Sequence, residues 1–241
     1  PLHPEGQPAL QRLTPHLLSA LSVSASPDRA LINLERFLAA TPDPAVVLDA
    51  LTEDPRTVDA LIAVFAGSQY LTEILLRNPS WVALLSTHSG IAQIKTAAWL
   101  AGETCQVTES LRPAAGGNPR DALDALRHFQ QRELLRIGAA DLAGLVELAS
   151  VTSQLSLLAD AIIQAALEVV AAAANLSAAG FVVLAMGKLG GGELNYSSDV
   201  DLLFLARGDG EQHADDCRRL GERLISALTE ATPVGSLYRV D

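Results

Sequence analysis

The sequence predicts an α+β fold that is mostly α, and two observations support this. Nearly half of the 241 residues are apolar, but only 4% are aromatic, and most of the apolar residues are Ala, Leu and Val. That composition favours helices packed on helices. From Gly180 onward the pattern changes to a strand, a glycine turn and a second strand. We therefore expect a helical region over residues 1–178 and an α/β core over residues 179–241.

Proline and capping residues indicate where the helices of the first region begin. Apolar residues recur at helical spacing after Pro27, and Asn118-Pro119 places a capping side chain before a proline at the first helical position. A further long helix is predicted over residues 152–174. Three short helices are predicted between prolines, over residues 43–51, 57–65 and 68–76.

The helix that begins at Pro119 contains the segment RHFQQRELLRIGAADLA. Its periodicity favours a solvated charged face over a buried apolar stripe. The alternative interpretation is that Arg127, Arg132 or Arg136 packs towards the α/β core. Both interpretations remain open from the sequence.

Charge and cysteine usage exclude several classes of protein. A formal net charge of −11 argues against a nucleic-acid partner. Residues 155–174 are long enough to span a bilayer, but Asp160, Gln164 and Glu168 form a polar stripe, so no membrane span is expected. We expect Cys105 and Cys217 to be buried thiols in a reducing compartment, and no signal peptide is visible, which predicts a cytoplasmic protein.

The segment GKLGGGELNYSSDVDLLF, residues 187–204, carries the strongest chemical signal. The apolar run 181–186 before it predicts a buried strand, and four glycines within six positions predict a tight turn or close approach to a ligand. Asp199 then begins a second predicted strand, on which Asp199 and Asp201 point to the same side. Two carboxylates roughly 7 Å apart repel each other unless a cation lies between them, which favours a metal site over a solvated strand edge.

Other residues of this region extend the prediction. Lys188 lies in the glycine turn and is one of only two lysines in the chain, so its ammonium could meet a phosphate oxygen. The patterns of Walker loops and dinucleotide-binding loops are absent from the turn. A helix is predicted from about residue 212 to 231 with Leu220, Leu224, Ile225 and Leu228 on one face, and a third strand over 237–241 ends on Asp241.

These residues resemble a known family. Leu189-Gly190-Gly191 followed by Asp199-Val200-Asp201 resembles the signature of the DNA polymerase beta-like nucleotidyltransferases. More narrowly, MGKLGGGELNYSSDVDLLF resembles the glutamine synthetase adenylyltransferase/adenylyl-removing enzymes. The resemblance extends to RHFQQRELLRIGAADLA and to the terminal YRVD, and less specifically to NLERFLA and GSQYLTEILLRNP near the amino terminus.

The resemblance implies a fold and an activity. Members carry two nucleotidyltransferase domains separated by a helical linker. The first removes AMP from a tyrosine of glutamine synthetase by phosphorolysis, giving ADP, and the second attaches AMP from ATP. ELNYSSDVD resembles the first copy, so this sequence is expected to be the amino-terminal, deadenylylating part of a longer protein. Glutamine synthetase is the implied partner, with the nitrogen-signalling PII protein acting through a part beyond this sequence.

The resemblance also implies site residues. Three carboxylates match the ligands of a two-Mg²⁺ site: Asp199, Asp201 and Asp241. The residues that match contacts to the phosphates of ATP, ADP or AMP are Gly190, Gly191 and Ser198, beside Lys188. Gly192 stands where many members have a basic residue. Two alternatives remain open from the sequence: a small-molecule nucleotidyltransferase, and a non-catalytic helical interaction module with an incomplete site.

Overall fold

The structure, a computed structural model, describes residues 7–86, 88–111, 116–207 and 211–241. The predicted class, α+β and mostly α, is confirmed. The elements in chain order are α1 (Gln7–Val23), α2 (Pro27–Ala40), α3 (Pro44–Glu53), α4 (Pro55–Gly67), α5 (Gln69–Arg77), a 3-10 helix (Pro79–Leu85), α6 (His88–Ile91), α7 (Ala97–Glu109), α8 (Pro119–Leu142), α9 (Leu148–Ala174), β1 (Phe181–Ala185), α10 (Gly187–Gly190), β2 (Leu202–Ala206) and α11 (Glu211–Thr229).

Capping side chains and prolines start several of the short helices. The Asp43 carboxylate accepts hydrogen bonds from the amides of Ala45 and Val46 at the start of α3. Asp54 accepts one from the amide of Arg56 at the start of α4. These bonds satisfy amides that have no partner within the helix, and proline at the first position needs none. The predicted short helices are therefore confirmed, with small shifts at their ends.

The chain divides into two compact units, of which the first comprises Pro1–Gln93 with Leu134–Val151. Within it, α2 packs against α4, and the rings of Phe37 and Phe65 lie with their centroids 5.7 Å apart. Both rings are fully buried. This unit therefore has its own apolar core.

The second unit comprises Ile94–Glu133 with Thr152–Asp241 and contains the sheet. Strands β1 and β2 pair antiparallel, with Phe181 opposite Ala206. The Phe181 and Phe204 rings stack at 5.5 Å, and a Cβ at Gly221 of α11 would lie 3.2 Å from the Phe204 ring. Glycine at this position therefore lets α11 pack closely on the sheet. The predicted domain division at residue 178 stays a prediction.

Helix α9 is, among the described helices, the one long and apolar enough to cross a membrane by length and composition. Most of its apolar window is buried inside the protein, as expected of a core helix. The predicted polar stripe is observed, since Asp160 and Gln164 are exposed and Glu168 is half-buried.

Two strand predictions need correction. The second strand begins at Leu202 instead of Asp199, and the terminal segment makes only one isolated parallel bridge, between Val200 and Val240. The hydrogen bonds there join Val200 to Arg239 and Asp241, and Leu202 to Asp241. This pairing is too short to form a regular strand, but it does place the terminal segment beside Asp199 and Asp201.

Two predictions about burial were wrong. Cys105 is exposed because it lies one position beyond the buried stripe of α7, whereas Cys217 is buried as expected. Ile225 is 38% exposed, while Leu220, Leu224 and Leu228 are fully buried.

The predicted break at residues 208–210 lies outside the described residues, as does most of the predicted loop at 111–119.

The interpretation of α8 as carrying a solvated charged face was also wrong for two of its arginines. Arg127 is 1% exposed and Arg136 is 8% exposed. The Arg136 guanidinium donates to the carbonyl oxygens of Ile91 and Gln93 within the first unit. Arg132, the third arginine of the segment RHFQQRELLR to be considered, keeps an exposed side chain, 3.7 Å from the Glu103 carboxylate. The two buried arginines of α8 therefore donate hydrogen bonds to backbone carbonyl oxygens.

Candidate active site

The glycine turn connects β1 to the aspartates of the second segment. The Met186 amide donates a 2.8 Å hydrogen bond to the Asp201 carbonyl oxygen, which ties the end of β1 to the start of β2. Gly187 follows with a positive φ of 54°. A Cβ at Gly187 would overlap the Asp201 carboxylate oxygen Oδ2. Glycine is therefore needed here both for the backbone conformation and for the close approach of Asp201.

Replacing Gly187 with Ala is expected to displace the Asp201 carboxylate and to destabilise the protein by about 1–2 kcal/mol, from the left-handed backbone alone. Urea unfolding of the two forms measures this difference. Gly102 is a matched control, because a Cβ there meets nothing within 4 Å. Equal stability of Gly187→Ala and the wild type would contradict the close approach.

The next two glycines, Gly190 and Gly191, lie in the same turn, and Gly190 packs closely on β1. The Gly190 amide donates to the Met186 carbonyl oxygen and the Gly191 amide to that of Gly187, at 2.9 and 3.1 Å. A Cβ at Gly190 would overlap the Ala185 carbonyl oxygen. The turn therefore folds as a short helix against the end of β1. The predicted contacts of both glycines with phosphate stay a prediction.

The other predicted phosphate contacts lie on either side of this turn and its following loop. Lys188 is exposed. Ser198 is half-buried, and its hydroxyl donates to the Asn195 side-chain oxygen at 2.9 Å. This bond fixes the loop just before Asp199. Neither observation tests binding of a phosphate, so both roles stay predictions.

The parallel bridge brings the third predicted carboxylate alongside the first two. Because Val200 pairs with Val240, the register sets Asp199 beside Arg239 and Asp201 beside Asp241. Val200 is fully buried, whereas Asp199 and Asp201 are half-buried and Asp241 is exposed. The three aspartates therefore belong to two adjacent segments, with the core below them.

Arg239 is the positive charge of this group of residues. Its Nε lies 2.5 Å from Asp199 Oδ1, and its guanidinium also donates to the Ser197 carbonyl oxygen at 3.0 Å. Asp199 Oδ1 is itself buried and accepts no well-aligned hydrogen bond within the described residues. The Asp199 carboxylate is therefore paired with a neighbouring guanidinium through Oδ1, while its side chain remains partly exposed.

The donor chemistry fits Mg²⁺, although the carboxylates do not converge. Within the described ranges, no group of three or more His, Cys, Asp or Glu side chains lies close enough together to hold a metal ion. Carboxylates repel one another when no cation separates them. Carboxylate oxygens are the ligands that Mg²⁺ takes in proteins. Asp199 Oδ1 has no hydrogen bond within the described residues, and a cation bound there would replace its ion pair with Arg239. Asp199, Asp201 and Asp241 are the residues that would hold it.

Sequence reasoning missed two residues of the site. Arg239 could have been found from its position two residues before Asp241, which places both side chains on the same side of an extended segment. Ser156 of α9 is different: its hydroxyl oxygen accepts a 3.0 Å hydrogen bond from the Leu194 amide in the loop before Asp199. Nothing in the local sequence indicates that contact, because the residues are 38 positions apart.

A strand, a glycine turn and two aspartates just before a second strand, preceded by helices, are the arrangement expected of a nucleotidyltransferase of the DNA polymerase beta-like class, which the sequence resembles. Residues 58–241 match the family described as glutamate-ammonia ligase adenylyltransferase. The chain therefore belongs to that family.

Individual relatives agree with this assignment. The chain is 32% identical over 245 residues to a protein of Neisseria meningitidis serogroup B, covering 100% of this chain and 27% of the relative. It is 32% identical to a protein of Nitrosococcus oceani (96% and 26% covered) and 29% identical to one of Thioalkalivibrio sulfidiphilus (98% and 26% covered). Each is named a bifunctional glutamine synthetase adenylyltransferase/adenylyl-removing enzyme. The chain spans about a quarter of the length of these relatives.

Proposed function

We propose that this chain forms part of an enzyme that regulates glutamine synthetase by removing AMP from its adenylylated tyrosine. Inorganic phosphate is the attacking group and ADP the product. The observation that carries the proposal is the register that sets Asp199, Asp201 and Asp241 on adjacent segments beside the glycine turn. Membership of the family and the names of the relatives support it. A cytoplasmic location and regulation by PII belong to the same proposal.

The reaction is a transfer of the adenylyl group between two oxygens. A phosphate oxygen forms a bond to the α-phosphorus of AMP, and the bond from that phosphorus to the tyrosine oxygen breaks. The tyrosine oxygen takes up a proton, and the attacking phosphate becomes the β-phosphate of ADP. Bound Mg²⁺ supplies Lewis-acid neutralisation of the charge that develops on the phosphoryl oxygens.

The residues of this chain bind and orient the reactants. The Asp199, Asp201 and Asp241 carboxylates would hold the divalent cation. Arg239 leaves Asp199 partly neutralised, and its exposed guanidinium can meet a phosphate as a charge-assisted donor. Lys188, exposed in the turn, supplies a second positive charge for the anionic reactants.

The test follows isotope from phosphate into nucleotide. The full-length protein is incubated with adenylylated glutamine synthetase, Mg²⁺ and ³²P-orthophosphate, and the products are separated by chromatography. We expect label in the β-phosphate of ADP, with one tyrosine freed for each ADP formed. Omission of Mg²⁺ is expected to abolish the label in ADP.

Two outcomes would contradict the proposal. Release of unlabelled AMP would mean that water is the attacking group. No release of nucleotide, with AMP added to unmodified glutamine synthetase from ATP, would assign the opposite direction to the protein. The absorbance of the same chromatogram shows the first outcome, and a parallel incubation with unmodified glutamine synthetase and ATP shows the second.

A further inference from the structure

Helix α8 carries a row of polar side chains that bind one distant segment of the second unit. Asp124, Arg127, Gln130 and Gln131 recur at helical spacing, and each contacts the chain between residues 227 and 237. The partners are 100 to 108 positions apart in sequence. The row lies in the segment RHFQQREL and its preceding turn, for which the proposed chemistry gives no role.

Four of these five hydrogen bonds go to backbone carbonyl groups, and those to Ala227 and Leu237 are buried. The Arg127 guanidinium donates to the carbonyl oxygens of Ala227 and Glu230, at the end of α11, where carbonyls have no partner within the helix. The Gln130 amide donates to the Leu237 carbonyl oxygen at 2.6 Å, and the Gln131 amide to that of Val234 at 2.5 Å. Gln130 is 4% exposed and Gln131 is 8% exposed. Loss of either donor would leave a carbonyl short of a partner.

The segment that they hold leads directly to Asp241. The amides of Leu237 and Tyr238 both donate to the Leu228 carbonyl oxygen, which turns the chain back from α11. Four residues after the Leu237 carbonyl, Asp241 pairs with Val200 and Leu202 through its amide and its carbonyl oxygen. The row on α8 therefore anchors one end of this short connection, and the bridge beside Asp201 forms the other end.

We propose that Gln130 and Gln131 are positioning residues for the third carboxylate of the site. They act through the carbonyls of Leu237 and Val234 and set the register of Asp241 against Asp201. The role of Asp241 as a metal ligand rests on the proposed function. The position of the Asp241 backbone does not, and hydrogen exchange measures it separately. Neither glutamine touches a reactant.

Volume-matched variants test the inference in the full-length protein. Gln130→Met and Gln131→Met remove the donor and keep the length of the side chain. Gln154→Met is the matched control, because Gln154 is also a buried glutamine on a helix of this unit that donates to a backbone carbonyl, that of Lys95. The hydrogen bonds described for Gln154 join it to the backbone of Lys95.

The first measurement is amide hydrogen exchange at Val200, Leu202 and Asp241, whose amides form the bridge. Gln130→Met and Gln131→Met are expected to exchange about tenfold faster there, whereas Gln154→Met is expected to match the wild type. The second measurement is Mn²⁺ affinity by electron paramagnetic resonance. It is expected to fall by about tenfold in Gln130→Met and less in Gln131→Met, with the control unchanged.

The outcomes separate this inference from the proposed function. Wild-type exchange at the three amides in both folded variants would overturn the positioning role, as would equal Mn²⁺ affinity in the variants and the control. If Gln130→Met does not fold, Gln131→Met at the edge of the row decides the question. Failure of the wild-type protein to form labelled ADP would overturn the proposed function, while altered exchange in the variants would still support the positioning of Asp241.

Discussion

Replacing Asp201 with Asn is expected to reduce the formation of ADP by about a thousandfold, equivalent to about 4 kcal/mol of transition-state stabilisation. The amide keeps the size of the carboxylate and removes its charge. The Met186 amide still donates to the carbonyl oxygen of residue 201, so the link between β1 and β2 is retained. We therefore expect loss of activity with little loss of folding stability. The initial rate with adenylylated glutamine synthetase measures the activity, and urea unfolding measures the folding stability.

The control for this variant is Asp215→Asn. Asp215 lies on α11 in the same unit, is largely exposed and pairs with Arg218 on its own helix. An exposed pair of this kind contributes little to stability, so its loss is expected to leave the rate unchanged. Retention of the wild-type rate by Asp201→Asn would exclude Asp201 as a metal ligand. An equal fall in both variants would indicate a general effect of charge.

The sequence predicted the part of the site that depends on short-range rules. A period of two puts Asp199 and Asp201 on one side, and the glycines mark a place where the backbone must turn closely. The structure agrees on the turn, with Gly187 against the Asp201 carboxylate, and Val200 between the two aspartates is buried. The contact of Arg239 with Asp199 was not predicted, because it depends on pairing between segments forty residues apart.

The same distinction explains the successes and failures in the fold. The short helices were predictable because Asp43 and Asp54 act within a few residues of their own positions. The burial of Arg127 could not be predicted from local rules, because its partners are carbonyls at the end of a helix about a hundred positions later. Arginine is usually exposed, so the sequence left both a solvated face and packing of Arg127 towards the α/β core open. A buried arginine needs acceptors that only the tertiary fold brings to it.

Replacing Lys95 with Met is expected to lower the free energy of unfolding of the second unit by about 3–5 kcal/mol, the usual cost of removing one partner from a buried ion pair. Lys95 is 5% exposed. Its ammonium contacts the Glu103 and Glu133 carboxylates at 2.5 and 2.9 Å and lies 5.5 Å from the centre of the Trp99 ring. Methionine fills a similar volume but leaves two carboxylates without that cation. Urea unfolding measures the difference.

Lys188, the other lysine of the chain, is the matched control. It is exposed in the glycine turn, so Lys188→Met is expected to change the free energy of unfolding by no more than about 0.5 kcal/mol. If Lys188 meets the phosphate, the same variant is expected to raise the KM for phosphate, whereas a folded Lys95→Met protein is expected to keep the wild-type KM. Lys95→Met would then change only the free energy of unfolding, and Lys188→Met would change only the binding of phosphate. Equal stability of Lys95→Met and Lys188→Met would show that the buried ammonium contributes nothing to the fold.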